Sequence, residues 1–298
     1  MQVHPPVQQP PTRAACRQHR ALHGLTILEV LVCLSVIGIL SSLLLPALSS
    51  AREAARQVDC RQRLKQLGLA LHSYHEVHNW LPAGWQWEST KQTAFGWLPP
   101  LLPHLEMENV SGQFDSSSQL GSAPNTIVRS MSPALFRCPS DIAPGTFTLF
   151  LERPSESSPP TNVPLLDLPT ANFVGVFGTP EPDNVWQEQL GDGPFCGATP
   201  VSFPQFLRGL SNVLLVGERQ AATVPSTWLG VDFRGEDAAC RLLGNAERGP
   251  NKSEADECEF TSRHPGCVHF LWGDGRVTPL SDAIDSRIYQ QLAKLSEF

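Results

Sequence analysis

Residues 25–48 read LTILEVLVCLSVIGILSSLLLPAL, and Glu29 is the only formal charge among them. Coiled as an α-helix at about 1.5 Å per residue, this stretch is about 36 Å long, enough to cross a hydrocarbon layer about 30 Å thick. A secretory signal peptide has a shorter apolar core, about 7–15 residues, followed by a small-residue cleavage site. Here the small residues Ser50, Ala51, Ala54 and Ala55 lie in a sequence that continues as helix. The stretch therefore reads as a membrane span.

On its N-terminal side, residues 1–24 carry Arg13, Arg17 and Arg20 and no acid, which leaves the rest of the chain with 19 basic and 29 acidic residues. Basic residues stay on the cytoplasmic side, so this leader is expected in the cytoplasm and the C-terminal 250 residues outside it. Arg52, Arg56, Arg61, Arg63 and Lys65 follow the span and work against that bias. An acidic body argues against nucleic acid as a partner, because releasing phosphate counterions needs a basic face. With 41% apolar and 17% charged residues in 298, the chain can bury a core and is not a disordered tail.

An acid inside the bilayer costs about 2.5–3.5 kcal/mol on insertion scales, which makes Glu29 a functional candidate. Its context, His23-Gly24-Leu25-Thr26-Ile27-Leu28-Glu29, resembles the processing site of type IV prepilins and pseudopilins, with Leu25 in place of the usual Phe. The resemblance implies cleavage by a prepilin peptidase between Gly24 and Leu25 and N-methylation of Leu25. It also implies pairing of Glu29 with the terminal amine of a sister subunit, each buried charge becoming tolerable when it meets the other. Pro46, at position 22 of the chain so processed, stands where pilins often carry a helix-kinking proline.

Beyond Pro46 the pattern turns amphipathic. Ala51, Ala54, Ala55 and Val58, then Leu64, Leu67, Leu71 and Tyr74, recur at steps of three and four, with Arg, Gln and Lys between them. Pro82 and Gly84 close the pattern, so a helix is expected from Leu25 to about His78, with 49–81 as its amphipathic part. His72, His75, Glu76 and His78 have metal-compatible spacing but read more simply as polar residues near a helix C-terminus. In residues 82–298 the runs ANFVGVFG (Ala171–Gly178) and SNVLLVGE (Ser211–Glu218) read as strands. The arms GCVHFLW and RVTPL around Gly273-Asp274-Gly275 read as a hairpin. Pro99–Gln113 reads as a short helix, 152–169 as a proline-rich exposed loop, and Ser281–Leu295 as a helix capped by Ser281 or Asp282.

The head is similar to that of a large family of pseudopilin-like envelope proteins. The likeness rests on CRQRLKQLGLALHSYHEVH from Cys60, FGWLPPLLPHLE from Phe95, FRCPSD from Phe136, ANFVGVFG, LSNVLLVGER, and SRHPGCVHFLWGDG. The last is a His-x9-Asp-Gly motif formed by His264, Asp274 and Gly275. The resemblance implies an α+β, pilin-like fold: one long N-terminal helix packed on an antiparallel β-rich head. It also implies four segments: leader 1–24, transmembrane 25–48, amphipathic helix 49–81 and head 82–298. A bridge between Cys60 and Cys138 follows from the family's cysteines at those positions, and Cys240 with Cys258 is then expected to close a local loop.

No nucleophile elbow and no H-E-x-x-H helix is present, so no catalytic, cofactor-binding or metal-ligating residue is expected and the chain is not expected to be an enzyme. Asp274 is explained by its turn and His264 by hydrogen bonds at the hairpin entrance. Calcium stays as an alternative for the run Glu254, Asp256, Glu257 and Glu259, which otherwise reads as a solvated loop. The expected function is a prepilin-like subunit of the inner membrane, crossing it once, with its head in the periplasm or outside the cell. It would assemble with sister pseudopilin subunits into a type II secretion pseudopilus or type IV pilus-like fibre, and its partners are the prepilin peptidase, those subunits and the lipid bilayer. The alternative is a membrane-anchored binding module for polysaccharide or protein, with Trp80, Trp85, Trp87 and Trp97 as aromatic platforms.

Overall fold

The computed structural model describes residues 26–152, 163–185, 190–222, 224–254 and 256–296. Gly24 and Leu25, the expected processing site, lie outside them. The first helix, α1, runs Ile27–His78 and contains Pro46. The chain divides into two compact units, residues 1–50 and 51–298.

In the first unit every described side chain is exposed, and the helix is long and apolar enough to cross a membrane. Four of its serine hydroxyls are satisfied within the helix: Ser35, Ser42, Ser49 and Ser50 donate to the carbonyls of Val32, Ile39, Pro46 and Ala47 at 2.7–3.0 Å. Internal satisfaction is the condition for polar groups placed in lipid. Thr26 and Glu29 form a capping box: the Glu29 Oε2 accepts from Thr26 N and Oγ1, both at 2.9 Å, and Glu29 N donates to Thr26 Oγ1 at 3.3 Å. The carboxylate thus has a local structural role at the helix start.

The second unit holds eleven described strands: β1 (Trp85–Trp87), β2 (Thr93–Gly96), β3 (Thr146–Phe150), β4 (Pro164–Ala171), β5 (Phe173–Gly178), β6 (Leu214–Glu218), β7 (Ser226–Thr227), β8 (Gly230–Asp232), β9 (Leu243–Asn245), β10 (Cys267–Trp272) and β11 (Val277–Ser281). The largest sheet has the order β11-β10-β6-β5-β9, and two three-stranded sheets have the orders β1-β2-β8 and β3-β4-β7. Strands β5 and β6 are buried at every residue, as continuous apolar runs in the middle of a sheet should be. The sheet is not wholly antiparallel as expected, because β9 joins β5 in parallel. The outcome is an α+β fold with one long N-terminal helix and a β-rich head.

Side chains of β10 alternate between two apolar clusters, as the period of two requires. Val268, Phe270 and Trp272 join Val174, Val176 and Leu214, whereas Leu271 joins Leu64, Leu67 and Leu71 of α1. Helix and strand approach closely at Gly68, where an added Cβ would stand 2.7 Å from Leu271 Cδ1.

Several boundaries differ from the sequence reading. Helix α1 does stop at His78 as expected, three residues short of the 49–81 segment's end, because Asn79 takes a left-handed conformation (φ 65°) ahead of Pro82. The segment Pro99–Gln113 holds the expected short helix, α2 (Glu108–Ser111), preceded by a 3-10 turn, Pro99–Leu105, and two further one-turn helices follow, α3 (Thr126–Arg129) and α4 (Pro182–Val185). The expected loop 152–169 ends in β4, with 153–162 outside the described residues. Thr170 N donates to Gly145 O at 2.8 Å, so the neighbouring Pro169 is spared a donor role on the β3 side, and β7 pairs only with Thr170 and Ala171. The terminal helix α5 is Ser286–Leu292, and its cap is Asp285, which accepts from Arg287 N and Ile288 N, rather than Ser281 or Asp282. Ser281 instead ends β11.

Candidate functional site

The inward face of α1 differs from the stripe read in the sequence. Ala51, Ala54, Ala55 and Val58 are exposed, while Glu53, Arg56, Gln57 and Cys60 turn inward, continuous with Leu64, Leu67 and Leu71. This face is polar because of what it meets. His264 Nδ1 donates to Glu53 Oε1 at 2.5 Å, and His264 Nε2 lies 3.3 Å from Cys138 Sγ and 3.5 Å from Glu218 Oε1. The donor atoms of Cys60, Cys138, Glu218 and His264 all lie within 4.8 Å of one another, and all four residues are buried.

A second ring of hydrogen bonds holds this cluster. Glu218 Oε2 accepts from Ser262 Oγ at 2.9 Å and from His269 N and Nδ1 at 3.1 Å each, whereas the buried Oε1 accepts no hydrogen bond. Glu53 also takes Arg56 Nε and the Ser140 hydroxyl, and Cys138 N donates to Asn172 Oδ1 at 2.9 Å. Burial pushes the Glu218 carboxyl up, but the facing imidazoles of His264 and His269 outweigh it and hold the group at about 2. Burial pulls His264 down, while Cys138, Glu218 and Glu53 push it up to about 11. The hydrogen bond from Cys60 draws the Cys138 thiol down to about 6 against the effect of burial, and the same bond raises Cys60.

Cys60 and Cys138, expected to bridge, are free thiols in this structure, lying in a cluster that also holds a carboxylate and an imidazole. Cys240 and Cys258 are joined by a disulfide, and Cys33, Cys196 and Cys267 are free thiols. Glu181 lies near that disulfide, but bonded sulfurs are not thiolate ligands.

The two ends of the His-x9-Asp-Gly motif do separate work on the same helix. His264 reaches Glu53 in the cluster. Asp274 Oδ1 accepts Arg276 N at 3.0 Å in the β10–β11 turn, Gly275 has φ +80°, and the turn's carbonyls accept from α1: Gly275 O from Lys65 Nζ at 2.6 Å and Gly273 O from His72 Nε2 at 2.9 Å. His75 Nε2 accepts Phe203 N at 3.2 Å, and its ring stacks on Phe203 at 3.8 Å. These histidines are docking residues, and Glu76 and His78 are exposed.

The acidic run does not form the solvated loop expected throughout. Glu254 and Glu257 are exposed, but Glu259 is buried and accepts Arg248 N at 2.7 Å and Gly249 N at 3.0 Å. Near the disulfide, burial and mutual repulsion push Glu181 and Asp183 up to about 7 and Asp237 up to about 6. A carboxyl with a raised pKa binds its proton more tightly when folded, so its burial penalty is absent at low pH and grows as pH rises from about 4 through 7. Asp183 Oδ1 accepts Ala239 N at 2.8 Å, a bond that Asn can keep. Asp183→Asn is expected to stabilise the chain by about 2–4 kcal/mol at pH 8 and by nearly nothing at pH 4, read from urea unfolding at the two pH values.

Fold and cluster together define a β-rich head carried on a helix whose N-terminal part is suited to a membrane. The chain belongs to the family described as "Protein of unknown function (DUF1559)", named SBP_bac_10, whose model matches residues 49–287. That span includes Glu53, Cys60, Cys138, Glu218, His264, Asp274 and Gly275 and leaves the apolar stretch outside. No curated protein and no solved structure matches the chain.

Proposed function

We propose that this chain is a prepilin-like subunit of the bacterial inner membrane. It is cut between Gly24 and Leu25, N-methylated on Leu25 by the prepilin peptidase, and packed through α1 with sister subunits into a pseudopilus or type IV pilus-like fibre, its head lying outside the cytoplasm. The observation that carries this reading is the exposed apolar length of α1 with Glu29 as its lone charge. Both local hydrogen bonds to that carboxylate use Oε2, so Oε1 is available to a neighbour's terminal ammonium. The exposed face of Ala51, Ala54, Ala55 and Val58 extends the surface for helix packing beyond the bilayer.

Mass spectrometry of envelope-derived protein tests it, with a chain beginning at N-methyl-Leu25 as the expected result. Glu29→Ala is expected to leave membrane insertion intact and to abolish the crosslinked oligomers formed by the wild type. A chain retaining residues 1–24, or normal oligomers in Glu29→Ala, would overturn the proposal.

A membrane-anchored binding module is the second reading. It draws on a solvent-open cleft of about 540 Å³ lined by Asn251, Lys252, Asp256, Arg263 and Asp282. Of the four tryptophans, Trp85 and Trp97 are buried in the core and Trp87 packs on Phe233 at 4.5 Å, which leaves Trp80, 47% exposed, open to a ligand.

A further inference from the structure

Hydrogen bonds hold Glu218 Oε2 and His264 Nδ1 from outside the cluster, and leave Glu218 Oε1 and His264 Nε2 facing its centre, where Nε2 lies 3.3 Å from Cys138 Sγ. Glu218 is 1% exposed, and its Oε1 is buried without a hydrogen bond while Oε2 takes three. A buried carboxylate oxygen left so is costly unless a cation faces it, and here it faces the centre of the cluster with His264 Nε2 at 3.5 Å. His264 spends its Nδ1 proton on Glu53, which leaves Nε2 facing Cys138 and Glu218 Oε1, as a proton donor while the ring is charged and as a lone pair once a metal displaces that proton. A histidine oriented by a carboxylate is the usual arrangement behind a metal-bound imidazole.

The spacing agrees. Zinc bonds of about 2.0–2.3 Å in a tetrahedron place neighbouring donor atoms about 3.3–3.8 Å apart. Cys138 Sγ and His264 Nε2 are separated by 3.3 Å, and His264 Nε2 and Glu218 Oε1 by 3.5 Å. Two thiolates and an imidazole suit zinc and disfavour calcium or magnesium, which take oxygen donors.

We propose that Cys60, Cys138, Glu218 and His264 bind one Zn²⁺ in a closed tetrahedral site that fastens α1 to β6 and to the segments carrying Cys138 and His264. Four protein ligands leave no open coordination position, so the ion is structural and activates no water. The ligands are 60, 138, 218 and 264 in the chain, so the ion joins segments far apart in sequence. Glu53 is a positioning residue, acting through His264. The site is independent of the proposed assembly role, and either can fail without the other.

The test uses the full chain extracted in detergent and freed of loosely held metal. Elemental analysis is expected to find about one zinc per chain. Replacement by Co²⁺ is expected to give thiolate-to-cobalt charge transfer and the strong visible bands of a tetrahedral ion. Cys138→Ser is expected to lose the metal. Glu53→Gln, which removes no ligand, is expected to weaken zinc affinity about 10–100-fold, so a misfolded Cys138 variant does not leave the question open. Three results would overturn the proposal: a Cys60–Cys138 disulfide in the peptide map with no zinc, free thiols with no zinc, or zinc that persists unchanged in Cys138→Ser and His264→Gln.

Discussion

Arg219→Met is expected to lower the free energy of unfolding by about 3–5 kcal/mol, a large share of the about 5–15 kcal/mol that holds a typical domain. Arg219 is 1% exposed, and its guanidinium meets backbone carbonyls: Nε donates to Glu259 O at 3.2 Å, Nη2 to Leu243 O at 3.1 Å and to Cys258 O, and Nη1 to Cys240 O. Burial, with help from Arg241, pulls its pKa down to about 9, so it is still charged at pH 7 and its bonds are charge-assisted. One side chain thereby ties the end of β6 to β9 and to both halves of the disulfide. Methionine fills much of the volume and supplies no donor, so buried carbonyls lose their partner. Arg219→Lys keeps the charge but concentrates its donors on one nitrogen, which cannot span carbonyls from four residues. Lys is therefore expected to fall between wild type and Met. Urea unfolding followed by tryptophan fluorescence measures both; a Met variant within about 0.5 kcal/mol of wild type would show that the guanidinium does not hold these segments.

Arg219 also marks the limit of what the sequence discloses. In LSNVLLVGER the apolar run identifies β6, but Glu218 and Arg219 look like the polar residues at which a strand leaves the core. Both are buried, because their partners arrive from 21 to 51 residues away, from Cys240, Leu243, Cys258 and Glu259 for Arg219 and from Ser262, His264 and His269 for Glu218. The same blindness applies to Glu53, Arg56, Gln57 and Cys60. They stand at i, i+3, i+4 and i+7 in phase with Leu64, but a search for apolar periodicity selects the alanines beside them. The sign that was present is that phase itself: extending the leucine stripe backwards by helical steps lands on Cys60, Gln57, Arg56 and Glu53. Features encoded by near neighbours were legible. The apolar span, the β10–β11 hairpin with its Gly-Asp-Gly turn, and the strands β5 and β6 are of this kind. The three-residue strand β9 was not, since its parallel pairing to β5 depends on contacts made only after folding.

Two leucines separated by one residue put the docking of α1 to a direct test. Leu67 is fully buried among Leu64, Leu71 and Leu271, whereas Leu69 is 64% exposed. Leu67→Asp removes a core side chain and places a carboxylate where the apolar cluster offers no partner. Together these are expected to cost about 5 kcal/mol or more, enough to unfold much of the population. Leu69→Asp keeps its charge in water and is expected to change stability by no more than about 0.5 kcal/mol. Circular-dichroism melts of the full chain in detergent compare the two. Similar losses in both would mean that the face of α1 assigned to the core is wrong. The pair also separates folding from assembly. If α1 packs with sister subunits through its exposed side, Leu69→Asp can reduce crosslinked oligomers in envelopes while the melt stays at the wild-type temperature, an outcome that Leu67→Asp, acting through the core, has no means to produce.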